Sequence, residues 1–167
     1  MKISVDTEAS GPCPTLGDLI SFGAVVIEPG LERTFRSPDM RPTCDAFQEG
    51  AYRSIGLTRE EHLAYQATVE DGFRLFDEWL TGLRSNRYTL VTDNPAFDWQ
   101  WINWGFHTYL GRNPFGHSAR RIGDMAAGLS GKVNDHSSWK RLRRTRHTHD
   151  PLDDAKGNAE AFLALWN

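Results

Sequence analysis

The sequence predicts an α/β fold in which a mixed five-stranded sheet is flanked by helices. The first 36 residues contain three short segments of β-branched and apolar residues separated by turn residues. From about residue 45 onwards, helical and extended patterns alternate, as they do in sheets covered by helices on both faces. No linker interrupts the 167 residues, which are enough for one hydrophobic core, so we expect a single domain over residues 1–167.

Composition narrows the class of protein. Hydrophobic residues make up 39% of the chain, and the longest apolar run, Phe22–Ile27, is far too short to cross a bilayer, so we expect no membrane contact. No signal peptide is visible, and Cys13 and Cys44 form no CxxC pair, so we expect a reduced, cytoplasmic protein. The net charge of −3 argues against a protein that coats nucleic acid nonspecifically.

The first third of the chain predicts an antiparallel meander. Ile3 and Val5 alternate with polar residues, which is typical of a strand. A longer β-branched segment ends at the turn residues Glu28–Gly30, after which a third extended segment begins. The three strands are expected at Lys2–Thr7, Leu19–Glu28 and Leu31–Arg36.

The rest of the chain predicts helices and two further strands. Thr58 and Glu61 have the spacing of a capping box. Asn94–Pro95 and Asp150–Pro151 each place a capping residue before a proline, a common way to start a helix. The expected helices lie at Asp45–Arg53, after Thr58, at Val69–Leu83, Asn94–Tyr109, Ser137–Arg144 and Asp150–Trp166, and the strands at Arg87–Thr92 and Arg120–Met125.

Four carboxylates and one histidine lie at the boundaries of these elements. Asp6 and Glu8 are two residues apart on the first strand, so both side chains point to the same face. Asp98 and Asp154 each occupy the fourth position of a helix that starts with proline. Carboxylates held together repel one another unless a cation lies among them, so the pattern indicates a site for two divalent metal ions. His149, just before the last helix, is a candidate general base.

Each candidate also has a purely structural interpretation. A solvent-facing acidic pair at a strand end is commoner than a metal site, and a carboxylate in a first helical turn can simply stabilise the helix, as Asp98 could. The basic segment Lys140–His147 can be a solvated surface, although its position before His149 favours contact with phosphates, and Arg146 is our candidate there. Among the other histidines only His147, which lies close to His149, is singled out.

Three motifs together resemble the DEDDh family of 3′–5′ exonucleases. The resemblance extends from Lys2 to about Phe162 and implies a ribonuclease H-like fold and one exonuclease domain. The motifs are Asp6-x-Glu8 on the first strand, Asn94-Pro95-Ala96-Phe97-Asp98 opening a middle helix, and His149-x-x-x-x-Asp154 opening the last helix.

The resemblance implies roles for all five residues. Asp6, Glu8 and Asp154 would hold the metal ion that binds the attacking water, and Asp6 would bridge to a second ion supported by Asp98. His149 would take the proton from that water. Oxygen ligands suit Mg²⁺ or Mn²⁺, with two ions per site.

The resemblance also suggests how the substrate is held. It places Thr7 and the backbone after Glu8 against the terminal nucleotide, and we add Asn94 and Arg146 as substrate-binding candidates. The chain departs from the family at Asp93, where a histidine is frequent.

The sequence therefore supports three hypotheses. The first is a 3′–5′ exonuclease that releases nucleoside 5′-monophosphates from single-stranded ends, with RNA favoured by the resemblance alone. The second is a DNA exonuclease of the proofreading type, and the third is a nucleic-acid-binding or scaffold protein without activity. Trp99 and Trp104 lie off the main apolar face of their helix and are candidates for a homodimer contact.

Overall fold

Five strands form one mixed sheet in the computed structural model, which describes residues 1–166. The strands are β1 (Lys2–Ala9), β2 (Leu19–Val26), β3 (Thr34–Arg36), β4 (Thr89–Thr92) and β5 (Ala119–Arg121). Their order is β3-β2-β1-β4-β5, with β1–β2 and β2–β3 antiparallel and β1–β4 and β4–β5 parallel. The predicted antiparallel meander and the mixed sheet are both confirmed.

Six α-helices and one 3₁₀ helix surround this sheet. The α-helices are α1 (Glu49–Ile55), α2 (Arg59–Ala64), α3 (Val69–Gly82), α4 (Pro95–Leu110), α5 (Ile122–Ser130) and α6 (Pro151–Trp166), and the 3₁₀ helix spans Ser138–Leu142. The predicted capping box opens α2, where the Thr58 side chain accepts a hydrogen bond from the Glu61 amide. Within residues 1–166, no helix is both long and apolar enough to cross a membrane.

Helices cover both faces of the sheet. Val5 of β1 belongs to the main buried cluster with Phe73 of α3 and Trp101 of α4. On the opposite face α6 lies across β1 and β2, where Val25 packs with Ala155. Because side chains alternate along a strand, the neighbours of Val5 in β1 point towards α6. The first strand therefore presents its even-numbered residues to the last helix.

One predicted strand is wrong in most of its length. We expected Arg120–Met125 to be extended, but β5 ends at Arg121 and the chain continues as α5. Ile122 and Ala126 are four residues apart, and both are buried in one cluster with residues of α6. A spacing of four residues places both side chains on one face of a helix. A short apolar run contains too few positions to distinguish the helical repeat from the alternation of a strand, so the sequence pattern was ambiguous here.

Other elements are shorter or shifted relative to the prediction. The helix expected at Ser137–Arg144 is a 3₁₀ helix of five residues, and only the last three residues of Leu31–Arg36 form a strand. The helix expected at Asp45–Arg53 begins at Glu49. None of these differences moves a candidate site residue out of its element.

Candidate active site

Two elements from opposite ends of the chain bring three carboxylates together. Asp6 and Glu8 lie on the face of β1 that α6 covers, and Asp154 lies in the first turn of α6. One carboxylate oxygen from each residue lies within 4.8 Å of the others. The Asp154 side chain is only 1% exposed, so the group sits at the bottom of a recess.

The start of α6 is capped as the sequence predicts. The Asp150 carboxylate accepts hydrogen bonds from the amides of Leu152 (2.9 Å) and Asp153 (3.2 Å). This cap fixes the first helical turn, which carries Asp154. Gly23 of β2 allows the turn to approach the sheet, since a Cβ there would lie 2.4 Å from the Pro151 carbonyl group.

Asp98 reaches the same region from α4 on the other face. Its Oδ1 accepts hydrogen bonds from the Thr7 amide (3.0 Å) and the Thr7 hydroxyl (2.8 Å), and its Oδ2 accepts one from the Thr92 hydroxyl. The side chain is buried. Asp98 is not one of the three carboxylates within 4.8 Å of each other, but its charge acts on both Asp6 and Glu8.

Thr92 has a role that the sequence did not single out. Besides donating to Asp98, its hydroxyl accepts a hydrogen bond from the Asn94 amide at 3.2 Å. Asn94 is the N-cap residue of α4 and Pro95 its first residue, as predicted, but the exposed Asn94 side chain forms no capping hydrogen bond. The sequence contains one signal for this role: Thr92 is a polar residue that ends an apolar strand, two positions before Asn94.

The carboxyls of Asp6, Glu8 and Asp98 have raised pKa values, chiefly because they are buried. Burial raises the pKa of Asp6 well above its ordinary value, and the charges of Asp98, Glu8 and Asp154 raise it further. Burial, followed by the charges of Asp154 and Asp98, raises the pKa of Glu8 to about 8. Burial raises the pKa of Asp98 to about 6, against the hydrogen bonds from Thr92 and Thr7, which lower it. A bound cation would relieve this repulsion.

His149 lies at the mouth of the recess. Its backbone amide donates to Asp154 Oδ2 at 3.1 Å, and its Nδ1 lies 3.7 Å from Glu8 Oε1. The backbone of His149 has φ = 61°. Residues other than glycine rarely adopt this left-handed conformation, and those that do are often found at functional sites. The imidazole is 37% exposed, so it can reach a solvent molecule held by the carboxylates.

His147 and Arg143 also contact Asp154. His147 Nδ1 lies 2.7 Å from Asp154 Oδ2, and Arg143 Nη2 lies 2.6 Å from Asp154 Oδ1. Gly157 makes room for Arg143, since a Cβ there would lie 2.3 Å from Arg143 Nε. Both contacts come from the basic segment, in which no sequence pattern distinguishes Arg143 from its neighbours.

A basic cavity of about 320 Å³ adjoins the carboxylates. Asp6 lies at one side of it, and Lys140, Arg144 and Arg146 line it. Lys140 also pairs with Asp93 at 2.7 Å, the position at which the chain departs from the family pattern. The Arg146 side chain is exposed, whereas both polar hydrogens of Thr7 are directed to Asp98.

Comparison with known proteins gives one close relative in sequence and several in structure. No family model matches the chain. The 3′–5′ DNA exonuclease Cap18 of Escherichia coli is 35% identical over an alignment 176 positions long, which covers 98% of this chain and 90% of that protein.

Solved structures share the fold at lower identity. The nuclease domain of 3′hExo, a DEDDh family member bound to rAMP, has a TM-score of 0.78 at 17% identity, covering 99% of this chain and 90% of its own. Cell-death related nuclease 4 has a TM-score of 0.77 at 13% identity, covering 99% of this chain and 63% of its own. The ribonuclease H-like fold is thus confirmed.

Proposed function

The chain belongs to the DEDDh family of 3′–5′ exonucleases, and we propose that it removes nucleotides from single-stranded 3′ ends in a reaction that uses two divalent metal ions. It is a hydrolase that acts on nucleic acid. The observation that carries the proposal is the convergence of Asp6, Glu8 and Asp154 beside His149. Release of nucleoside 5′-monophosphates is part of the proposal.

The residues present fit a divalent cation. Enzymes of this family generally use divalent metal ions, and carboxylate oxygens are ligands that suit Mg²⁺ or Mn²⁺. Asp6, Glu8 and Asp154 would hold the ions. The pKa values of Asp6 and Glu8 are raised because neighbouring negative charges and burial disfavour their ionised forms, and a bound cation would favour those forms. Bound cations supply stabilisation of the entering and leaving oxygens of the phosphate.

The protein's own groups complete the chemistry. His149 accepts the proton of the attacking water from its place at the mouth of the recess. Asp98, held by Thr7 and Thr92, would help to hold a second ion. Thr7 then acts mainly by orienting Asp98, while the backbone just after Glu8 would lie against the terminal nucleotide. Asn94 and Arg146 contribute contacts to the substrate.

Single-stranded DNA is the substrate that the sequence relative favours. That relative is a DNA exonuclease by name and covers nearly the whole chain. RNA stays the second candidate, because the motifs resemble those of stand-alone exoribonucleases. Competing equal amounts of 5′-labelled DNA and RNA of one sequence in a single Mg²⁺ reaction separates the two. Faster shortening of the DNA supports the first candidate, and faster shortening of the RNA supports the second.

The same assay tests activity and cofactor. We expect a descending ladder of 5′-labelled products with Mg²⁺ and none with EDTA. Asp6→Ala or Asp154→Ala should abolish release, and His149→Ala should lower it by about 10²–10⁴-fold. Glu78→Gln, which changes an exposed carboxylate on α3, is the matched control and should retain full activity.

Undiminished release by Asp154→Ala would refute the proposed active site. A protein that binds the oligonucleotide without shortening it under any metal would instead match the hypothesis of an inactive binding protein.

A homodimer and a cytoplasmic location belong to the proposal as well. Trp99 and Trp104, the candidate dimer contacts, are half-buried against the main core cluster, so each still presents part of its ring to the surface. Light scattering of Trp104→Ala beside the unmodified chain tests the contact, with a shift towards monomer as the supporting result.

A further inference from the structure

Three side chains at the mouth of the recess form a group whose donor atoms differ from those of the carboxylate site. His147, His149 and Asp154, here called the His–His–Asp cluster, offer two imidazole nitrogens and one carboxylate oxygen. These atoms all lie within 4.8 Å of one another, and the two rings have centroids 4.2 Å apart. The exonuclease reaction uses His149 and Asp154 but leaves His147 without a task.

The donor set matches a different class of metal from Mg²⁺. Two imidazoles and one carboxylate suit Zn²⁺ and neighbouring transition metals, whereas Mg²⁺ prefers oxygen and retains its waters. In a tetrahedral zinc site with bonds of about 2.0–2.1 Å, the ligand atoms lie about 3.3 Å apart. The separations in the His–His–Asp cluster therefore need to close by about 1.5 Å at most.

The surroundings of the cluster allow this closure. Arg143 holds Asp154 through Oδ1, so Oδ2 is directed towards the imidazoles, with His147 Nδ1 at 2.7 Å. The His147 side chain is 57% exposed and can rotate without disturbing the core. Glu8 Oε1 lies 3.7 Å from His149 Nδ1, so a further oxygen borders the cluster on the side of His149.

We propose that the His–His–Asp cluster binds Zn²⁺ or a similar transition metal, and that this ion inhibits the exonuclease. An ion there takes a nitrogen of His149 and an oxygen of Asp154, so the general base and the catalytic carboxylate are both occupied. The binding site depends only on the geometry, while its inhibitory effect rests on the proposed function.

Calorimetry of the full chain, stripped of metal with EDTA and dialysed, tests the site. We expect the unmodified protein to bind Zn²⁺ at least tenfold more tightly than His147→Ala. His117→Ala is the matched control, because His117 is exposed, precedes the edge strand β5 and belongs to neither group of candidate ligands. It should bind Zn²⁺ like the unmodified protein.

The same titration with Mg²⁺ separates a ligand from a residue that only orients Asp154. Mg²⁺ affinity should be unchanged by His147→Ala. Equal Zn²⁺ affinities of the unmodified protein and His147→Ala, or equal losses of Zn²⁺ and Mg²⁺ affinity, would overturn the zinc site.

Inhibition is read from Mg²⁺-supported shortening of a 5′-labelled oligonucleotide, with each variant compared to its own zinc-free rate. The Zn²⁺ concentration that halves the rate should rise at least tenfold in His147→Ala. If Zn²⁺ binding depended on His147 but Zn²⁺ did not inhibit the exonuclease, the proposed regulatory role would be overturned. If no variant shortened the substrate, the proposed function would fail, and calorimetry would still decide the metal site.

Discussion

At the scale of single residues, Asp98 combines two properties that substitutions can separate. Its charge raises the pKa of Asp6 and Glu8, and its oxygens accept hydrogen bonds from Thr7 and Thr92. Asp98→Asn removes the charge and keeps one oxygen as an acceptor for the two Thr7 donors, whereas Asp98→Ala leaves the donors of both Thr7 and Thr92 without an acceptor. Asp98→Asn therefore reports chiefly on the charge of Asp98, and Asp98→Ala also reports on its hydrogen bonds.

We expect Asp98→Asn to lose at least about 10²-fold in activity, since the second metal ion loses its support. Its metal-free stability should be equal to or higher than that of the unmodified chain, because a like charge is gone. The free energy of unfolding of Asp98→Ala, measured with urea, should be about 2–4 kcal/mol lower than that of the unmodified chain. Equal destabilisation by Asn and Ala would contradict this separation of charge from hydrogen bonding.

Glu8 makes stability in EDTA depend on pH. Its carboxyl has an ordinary pKa of 4.5 and a pKa of about 8 in the folded protein, so between these values the folded state binds more protons. The stability that Glu8 contributes is thus full below pH 4.5 and is lost as the pH rises towards 8, by at most about 1.4 kcal/mol per pH unit. The pKa of Asp98, raised to about 6, acts in the same direction.

Urea unfolding at several pH values between 5 and 8 in EDTA measures this slope. The free energy of unfolding should fall with rising pH, and Glu8→Gln should flatten the fall. The carboxyls with lowered pKa values, such as Glu160 and Asp71, lose their contribution only at lower pH and leave this window unaffected. A slope that Glu8→Gln leaves unchanged would show that Glu8 is not the titrating group.

At the scale of elements, the active site depends on how closely α6 approaches β2. We expect Gly23→Ala to destabilise the protein by about 1–3 kcal/mol, because its Cβ would lie 2.4 Å from the Pro151 backbone, which has no flexible end to move aside. Activity should fall with it, since α6 carries Asp154. Thermal unfolding and the oligonucleotide assay measure the two effects.

Gly50→Ala is the control for that substitution. Gly50 lies inside α1 with nothing within 4 Å of an added Cβ, so alanine there should stabilise the helix by about 0.5–1 kcal/mol. If both variants behaved alike, the close contact between β2 and α6 would not be the cause.

At the scale of the whole molecule, the carboxylate site joins the two ends of the chain. Asp6 and Glu8 come from the first strand and Asp154 from the last helix, so their repulsion opposes the docking of α6 on β1. A ligand that binds only the folded state at 100 times its Kd adds about 2.7 kcal/mol of stability. Saturating Mn²⁺ should therefore raise the Tm relative to EDTA.

Scanning calorimetry in Mn²⁺ and in EDTA measures this difference. Asp6→Asn should reduce the rise, whereas Glu78→Gln should retain it. An equal rise in Asp6→Asn would mean that the stabilising ion lies elsewhere.

Short sequence patterns were sufficient to predict most of the fold, because most strands and helix ends depend on only a few neighbouring residues. Ile3 and Val5 fixed the face of β1, and the Asp150–Pro151 pair fixed the start of α6 to the residue. The extended prediction at Arg120–Met125 failed because packing against α6 decides between strand and helix there. That contact lies about 40 residues away, beyond any local pattern.

The sequence by itself determined which residues are the candidates for the chemistry and in which elements they stand. Strand alternation and helix capping are short-range, so they specify where a side chain points before any long-range contact exists. Only the tertiary structure decided that Asp6, Glu8 and Asp154 meet within 4.8 Å, that Thr92 holds Asp98, and that His147 joins His149 at the same carboxylate. The physical reason is that distances between distant segments follow from how α6 packs on the sheet, which depends on the volumes of all the side chains between them.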